Sequence, residues 1–185
     1  MADAVSLARG FVDDEPFVLA LGDTIISSGQ GPTMLSRLVE KHLEVHPMAT
    51  IAAKRVSGRD VSLYGVLDVE PMGDSSYNIK NIVEKPTPEK APSNLTISAR
   101  YVIEPGIFEA MEETPSNRGE KLFTDCLMTL SRKGPVIAVE NRPTDIVFDI
   151  GSPALYAKAF VTFALKDPGM AEAMKSLLSQ LLDEE

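Results

Sequence analysis

Apolar residues occur along this chain in short runs separated by polar breaks that carry glycine and proline. Residues 2–9 have helical composition and end at the acidic turn Asp13-Asp14-Glu15-Pro16. Phe17-Val18-Leu19-Ala20-Leu21 is an unbroken apolar run bounded by that proline and by Gly22-Asp23, the pattern of a strand buried on both faces inside a parallel sheet. After Gly29-Gln30-Gly31-Pro32 the period becomes helical, with Leu35, Leu38, Val39 and Leu43 on one face and a stop near His46-Pro47. Residues 48–56 are β-prone, residues 57–60 form a loop, and residues 64–69 read as the next strand. Strand, helix, strand implies a right-handed crossover.

From Tyr64 onward the connections shorten. Gly73-Asp74-Ser75-Ser76 joins two strand-like runs, the second over 77–84, as a hairpin does, so this stretch is expected to be antiparallel. Pro86, Pro88 and Pro92 make 85–93 a loop, because they remove donors that a helix or ladder needs. Residues 95–103 resume as a strand. Helices are predicted at 105–113 and 122–131, joined by a polar loop over 114–121, and short strands at 136–139 and 146–148. The last segment splits at Asp167-Pro168-Gly169 into helices of 152–166 and 170–182, with leucines at 177, 178, 181 and 182 that pack on their own domain or on a neighbour. There is no internal repeat. The pattern predicts a three-layer α/β domain with a mixed central sheet.

Charge narrows the partners. With 18 Lys+Arg against 27 Asp+Glu the net charge is −9 over 185 residues, and no basic stripe exists to displace counterions from nucleic acid. Hydrophobic residues make up 44% of the chain, enough for a globular core that needs no disulfide framework. A single cysteine, Cys126, cannot pair within the chain, which points to a reducing compartment and makes the cytoplasm the expected location. The acidic N-terminus does not read as a secretory signal, and no apolar run approaches the ~20 residues that cross a bilayer, so no membrane partner is expected.

Several positions carry candidate chemistry. Asp23 follows an apolar strand and a glycine; it is either an ordinary turn aspartate or a magnesium ligand at a sheet edge where open α/β folds bind ligands. Asp149 repeats the arrangement after Ile146-Val147-Phe148, and its alternative is a loop residue ahead of the cap pair Ser152-Pro153. Two carboxylates at one sheet edge repel unless a cation lies between them, and phosphoryl or nucleotidyl transfer requires that cation. Glu84-Lys85-Pro86 ends a strand with opposite charges side by side: an exposed ion pair, or a carboxylate for sugar hydroxyls and an ammonium for a phosphate. Tyr64-Gly65 offers either a bulge glycine or a bare backbone on which a sugar can lie. His42 and His46 lack a third metal ligand and read as a solvated helix face, Cys126 reads as core, and no nucleophile-elbow serine is present.

Six segments in order resemble the bacterial and archaeal UTP–glucose-1-phosphate uridylyltransferases: residues 10–26 (G-F-V-D-D-E-P-F-V-L-A-L-G-D-T-I-I), Tyr64-Gly65-Val66-Leu67-Asp68, Ile82-Val83-Glu84-Lys85-Pro86, Ala91-Pro92-Ser93-Asn94-Leu95, Ala99-Arg100-Tyr101-Val102 and Phe148-Asp149-Ile150-Gly151. The A-P-S-N-L stretch after V-E-K-P separates this family from the thymidylyltransferases. The resemblance implies a Rossmann-like nucleotidyltransferase fold and the reaction of UTP with glucose 1-phosphate to UDP-glucose and pyrophosphate. It gives Asp23 and Asp149 to Mg²⁺, Glu84 and the Gly65 backbone with Tyr64 to the sugar, and Lys85 to the sugar phosphate.

The pattern also departs from the family. The glycine-rich loop G-x-G-T-R that cradles the UTP triphosphate has no counterpart in these 185 residues, so the chain reads as a single partial domain, N-terminally truncated, with an α/β core over 1–151 and a helical hairpin over 152–185. Thr24 stands where many members carry a second acidic residue, and Lys121-Leu122-Phe123 replaces a more typical apolar-Gln-Leu stretch. Three readings follow: an enzyme inactive alone and completed by a complementing nucleotide-binding chain, a non-catalytic binding module for sugar phosphate or nucleotide sugar, and a structural remnant. An uncovered sheet edge predicts a homo-oligomer.

Overall fold

A computed structural model describes residues 1–116, 119 and 121–183. The loop predicted over 114–121 includes Asn117, Arg118 and Glu120, which lie outside the described residues. The elements are α1 (Ala2–Ser6), α2 (Arg9–Val12), β1 (Phe17–Ala20), β2 (Thr24–Ser27), α3 (Met34–Val45), β3 (Ala49–Arg55), β4 (Gly65–Gly73), β5 (Ser76–Glu84), β6 (Leu95–Ile103), α4 (Ile107–Glu113), α5 (Phe123–Leu130), β7 (Val136–Glu140), β8 (Ile146–Asp149), α6 (Pro153–Ala164) and α7 (Ala171–Asp183). They fall into two compact units. The first comprises Met1–Leu21 and Ser28–Asp145, the second Gly22–Ser27 and the chain from Ile146 onward.

The first unit is built on a six-stranded sheet of order β1-β6-β3-β7-β5-β4. It is mixed, because β3 and β7 are parallel while the other pairs are antiparallel. Alternation along β3 explains the layering. Ala49, Ile51 and Ala53 join the buried cluster formed with Ile107, Phe108, Leu127 and Leu130 of α4 and α5. Thr50, on the other face of the strand, meets α3 through His42.

Two expectations change here. β1 is not a strand buried on both faces within a parallel sheet: it pairs antiparallel with β6, and half-buried residues alternate with exposed ones such as Val18. A five-residue apolar run lacks the periodicity that separates these cases. The buried row of α3 is Met34, Leu38 and His42, spaced by four, while Leu35 is exposed and Leu43 is 63% exposed. His42 is therefore core rather than solvated. Its Nδ1 pairs with Thr50 Oγ1 at 3.0 Å and its Nε2 with Glu104 Oε1 at 3.1 Å, which satisfies both ring nitrogens and permits the burial. His46 caps the helix in the left-handed conformation and is exposed.

The β4–β5 hairpin turns through Asp74 and Ser75, both at positive φ (51° and 56°), the geometry whose twist matches that of paired strands. β6 carries an irregularity at Ala99 (φ 51°), where its register against β3 shifts between Ile51↔Tyr101 and Ala53↔Ile97. The Leu21 N–H donates to the Ala99 carbonyl at 3.3 Å, which ties the chain leaving β1 to this bulge.

The second unit pairs β2 with β8 in an antiparallel two-stranded ribbon and adds α6 and α7. The composition of Thr24-Ile25-Ile26 is β-branched, yet the strand went unpredicted because only four residues separate its flanking breaks. Ser152 caps α6 by accepting from the Leu155 N–H, with Pro153 in its first turn, and Phe148 packs on Phe163 with ring centroids 5.1 Å apart. Among the described residues no helix is long and apolar enough to cross a membrane.

Candidate active site

In the first unit, the hairpin register places Gly65 opposite Glu84. A side chain at Gly65 would put its Cβ 3.1 Å from Ile97 Cδ1, 3.3 Å from Glu84 Oε2 and 3.4 Å from Thr124 Cγ2. The Glu84 carboxylate therefore borders the bare α-carbon of Gly65, and the absence of a side chain preserves that space. Lys85 leaves the ladder at φ 45°, and its N–H donates to the Tyr64 carbonyl at 3.0 Å. Pro86 stops the strand, and its carbonyl accepts from Ser62 Oγ at 2.8 Å. The Lys85 side chain is exposed, and among the described residues no carboxylate pairs with its ammonium. Tyr64, Gly65, Glu84 and Lys85 thus form one local group.

Three neighbours of this group were not anticipated. Tyr101 is 2% exposed, and burial first, then the negative charge of Glu84, pushes its phenol well above the usual range, so it stays neutral. Thr124 is 7% exposed, and its buried Oγ1 has no hydrogen-bond partner among the described residues. The Thr124 methyl, 3.4 Å from where a Gly65 Cβ would lie, brings this unpartnered hydroxyl close to the group. The Lys54 ammonium lies 4.2 Å from the centroid of the Tyr64 ring. These residues come from β3, β6 and α5, and only the assembled sheet brings them to the hairpin.

Asp23 and Asp149 belong to the second unit. They lie at one end of the β2–β8 ribbon, with Thr24 paired to Asp149 and the Ile150 N–H donating to the Asp23 carbonyl at 2.7 Å. Asp149 Oδ1 accepts from the Gly151 N–H at 2.8 Å. A Cβ at Gly151 would lie 3.2 Å from Asp149 Oδ1 and 3.9 Å from Asp23 Oδ2, so the two carboxylates border the same point. Both are exposed. Paired hard oxygen donors suit a divalent ion that completes its shell with water and phosphate oxygens.

A family model described as nucleotidyl transferase matches residues 1–164. The chain belongs to that family. The chain is 35% identical over 185 residues to the UTP–glucose-1-phosphate uridylyltransferase of Streptococcus pneumoniae serotype 4, a match that covers 98% of the chain and 61% of the relative. It superimposes on a UTP-bound UGPase from Acinetobacter baumannii with a TM-score of 0.87 and 31% identity, over 97% of this chain and 61% of that one. A UDP-glucose pyrophosphorylase in complex with UDP-glucose gives 0.83 and 30%, over 90% and 63%. The chain thus spans about three-fifths of the length of these relatives, and its mixed α/β architecture is theirs.

Proposed function

We propose that this chain serves the reaction of UTP with glucose 1-phosphate, supplying the ligands for the sugar phosphate and carboxylates for Mg²⁺. The observation that carries the reading is the Glu84 carboxylate beside the bare Gly65, with the Lys85 ammonium next in sequence. Glu84 accepts hydrogen bonds from glucose hydroxyls, and Gly65 lets the ring approach the backbone beside Tyr64. Lys85 holds the phosphate as a point charge. A phosphate oxygen of the bound sugar phosphate attacks the α-phosphorus of UTP, and the bond to pyrophosphate breaks. Asp23 and Asp149 would hold Mg²⁺, which when bound neutralises phosphate charge. No side chain forms a covalent intermediate in this scheme, because positioning and charge neutralisation supply the acceleration.

The same reading places the protein in the cytoplasm and makes it a homo-oligomer. Its supports are the single buried Cys126 and the exposed Val18 on the edge strand β1. Competition tests the substrate class. Glucose 1-phosphate and UDP-glucose are expected to displace one another from the protein, with inorganic phosphate displacing either only at far higher concentration. Equal displacement by inorganic phosphate would contradict a site that reads the sugar.

A further inference from the structure

Lys54 is the next-to-last residue of β3 and is half-buried. Its backbone is pinned: it pairs with Thr96 of β6, whose hydroxyl donates to the Lys54 carbonyl at 3.1 Å, and Thr96 in turn pairs with Val66 of β4. Among the described residues no carboxylate forms an ion pair with the Lys54 ammonium. It lies instead 4.2 Å from the centre of the Tyr64 ring, where the negative face of the π-system attracts a cation. Tyr64 is thus held at two points, its ring by Lys54 and its carbonyl by the Lys85 N–H. Gly65, the next residue, cannot shift without disturbing one of them.

We infer that Lys54 is a positioning residue for the sugar-phosphate half-site, acting through the Tyr64 ring rather than on the phosphate. The inference rests on the glucose 1-phosphate reading given above. With the ring free to rotate, the Tyr64-Gly65 backbone and the facing Glu84 and Lys85 must be ordered when ligand arrives, and that ordering weakens binding. Arginine at the same place also stacks on an aromatic face, whereas methionine keeps the apolar stem and loses the charge.

The test is a calorimetric titration of the full chain with glucose 1-phosphate, comparing wild type, Lys54→Met, Lys54→Arg, Tyr64→Leu and the Lys54→Met/Tyr64→Leu double variant, with thermal melting of each. Lys54→Met is expected to bind about 3- to 10-fold more weakly, and Lys54→Arg to bind as wild type. The double variant should bind no more weakly than Tyr64→Leu alone. Independent losses that multiply in the double variant would show Lys54 acting directly on the phosphate and overturn the inference. Unchanged affinity of Lys54→Met, beside a wild type that binds, would overturn it alone. A wild type that does not bind glucose 1-phosphate would overturn the substrate reading and the inference together.

Discussion

Gly65→Ala is expected to weaken glucose 1-phosphate binding by about tenfold or more while leaving the fold intact. The added methyl would meet Glu84 Oε2 at 3.3 Å and Ile97 Cδ1 at 3.1 Å. Neither the backbone nor the core forbids it: Gly65 is not among the residues at positive φ, and Ile97 Cδ1 is the free end of a flexible side chain. What the methyl takes away is the space over the backbone and the resting position of the Glu84 carboxylate. Each sugar hydroxyl that loses a charged acceptor costs about 1.5–3 kcal/mol. Calorimetry read beside a thermal melt separates the outcomes. Lost affinity with an unchanged melt is the expected result, and full affinity in a folded Gly65→Ala protein would remove Gly65 and Glu84 from the site.

Asp149→Asn is expected to weaken divalent-ion binding by at least about tenfold, since one of two carboxylate charges facing the ion disappears. The substitution is structurally conservative, because an amide oxygen also accepts the Gly151 N–H that Asp149 Oδ1 now accepts at 2.8 Å. Mn²⁺ provides a probe that does not depend on turnover. In the wild type its paramagnetism should broaden the NMR signals of the Asp23 and Gly151 amides at the lowest concentrations, and Asp149→Asn should require far more ion for the same effect. Equal broadening in the two proteins would mean that the ribbon end is not a metal site.

The parts of this molecule that were legible in the sequence are those decided by neighbours along the chain. β6 runs over Leu95–Ile103 as expected, because prolines and a Ser-Asn pair bound its start and Glu104-Pro105 its end. The β4–β5 hairpin follows from Gly73-Asp74-Ser75-Ser76, residues that tolerate the positive φ its turn requires. The buried face of α3 was not legible, since Leu43 looks more apolar than His42, and only the Thr50 and Glu104 partners make the histidine a core residue. The ribbon β2–β8 joins segments more than a hundred residues apart, so the aspartate pair was visible as two similar local patterns while its seat on a separate small sheet was not.

The candidate sugar-phosphate group divides in the same way. Glu84, Lys85 and Gly65 were nameable because one hairpin brings them together, although residue chemistry alone also allowed a plain exposed ion pair. Thr124, Tyr101 and Lys54 reach that group from α5, β6 and β3, and no spacing in the chain announces them. Thr124 in particular looks like an ordinary residue at a helix start, yet its buried hydroxyl has no partner among the described residues.

The central claim is that this chain recognises a sugar phosphate through Glu84 and Lys85, and it is tested most directly by calorimetric titration of the purified protein with glucose 1-phosphate in Mg²⁺, beside a Lys85→Ala control. Lys85 is exposed and ion-paired with no described carboxylate, so its removal leaves the fold untouched and takes away only the charge offered to the phosphate. Saturable binding by the wild type that falls about 10- to 100-fold in Lys85→Ala is the predicted result. No binding by the wild type, or equal binding by both proteins, would contradict the claim.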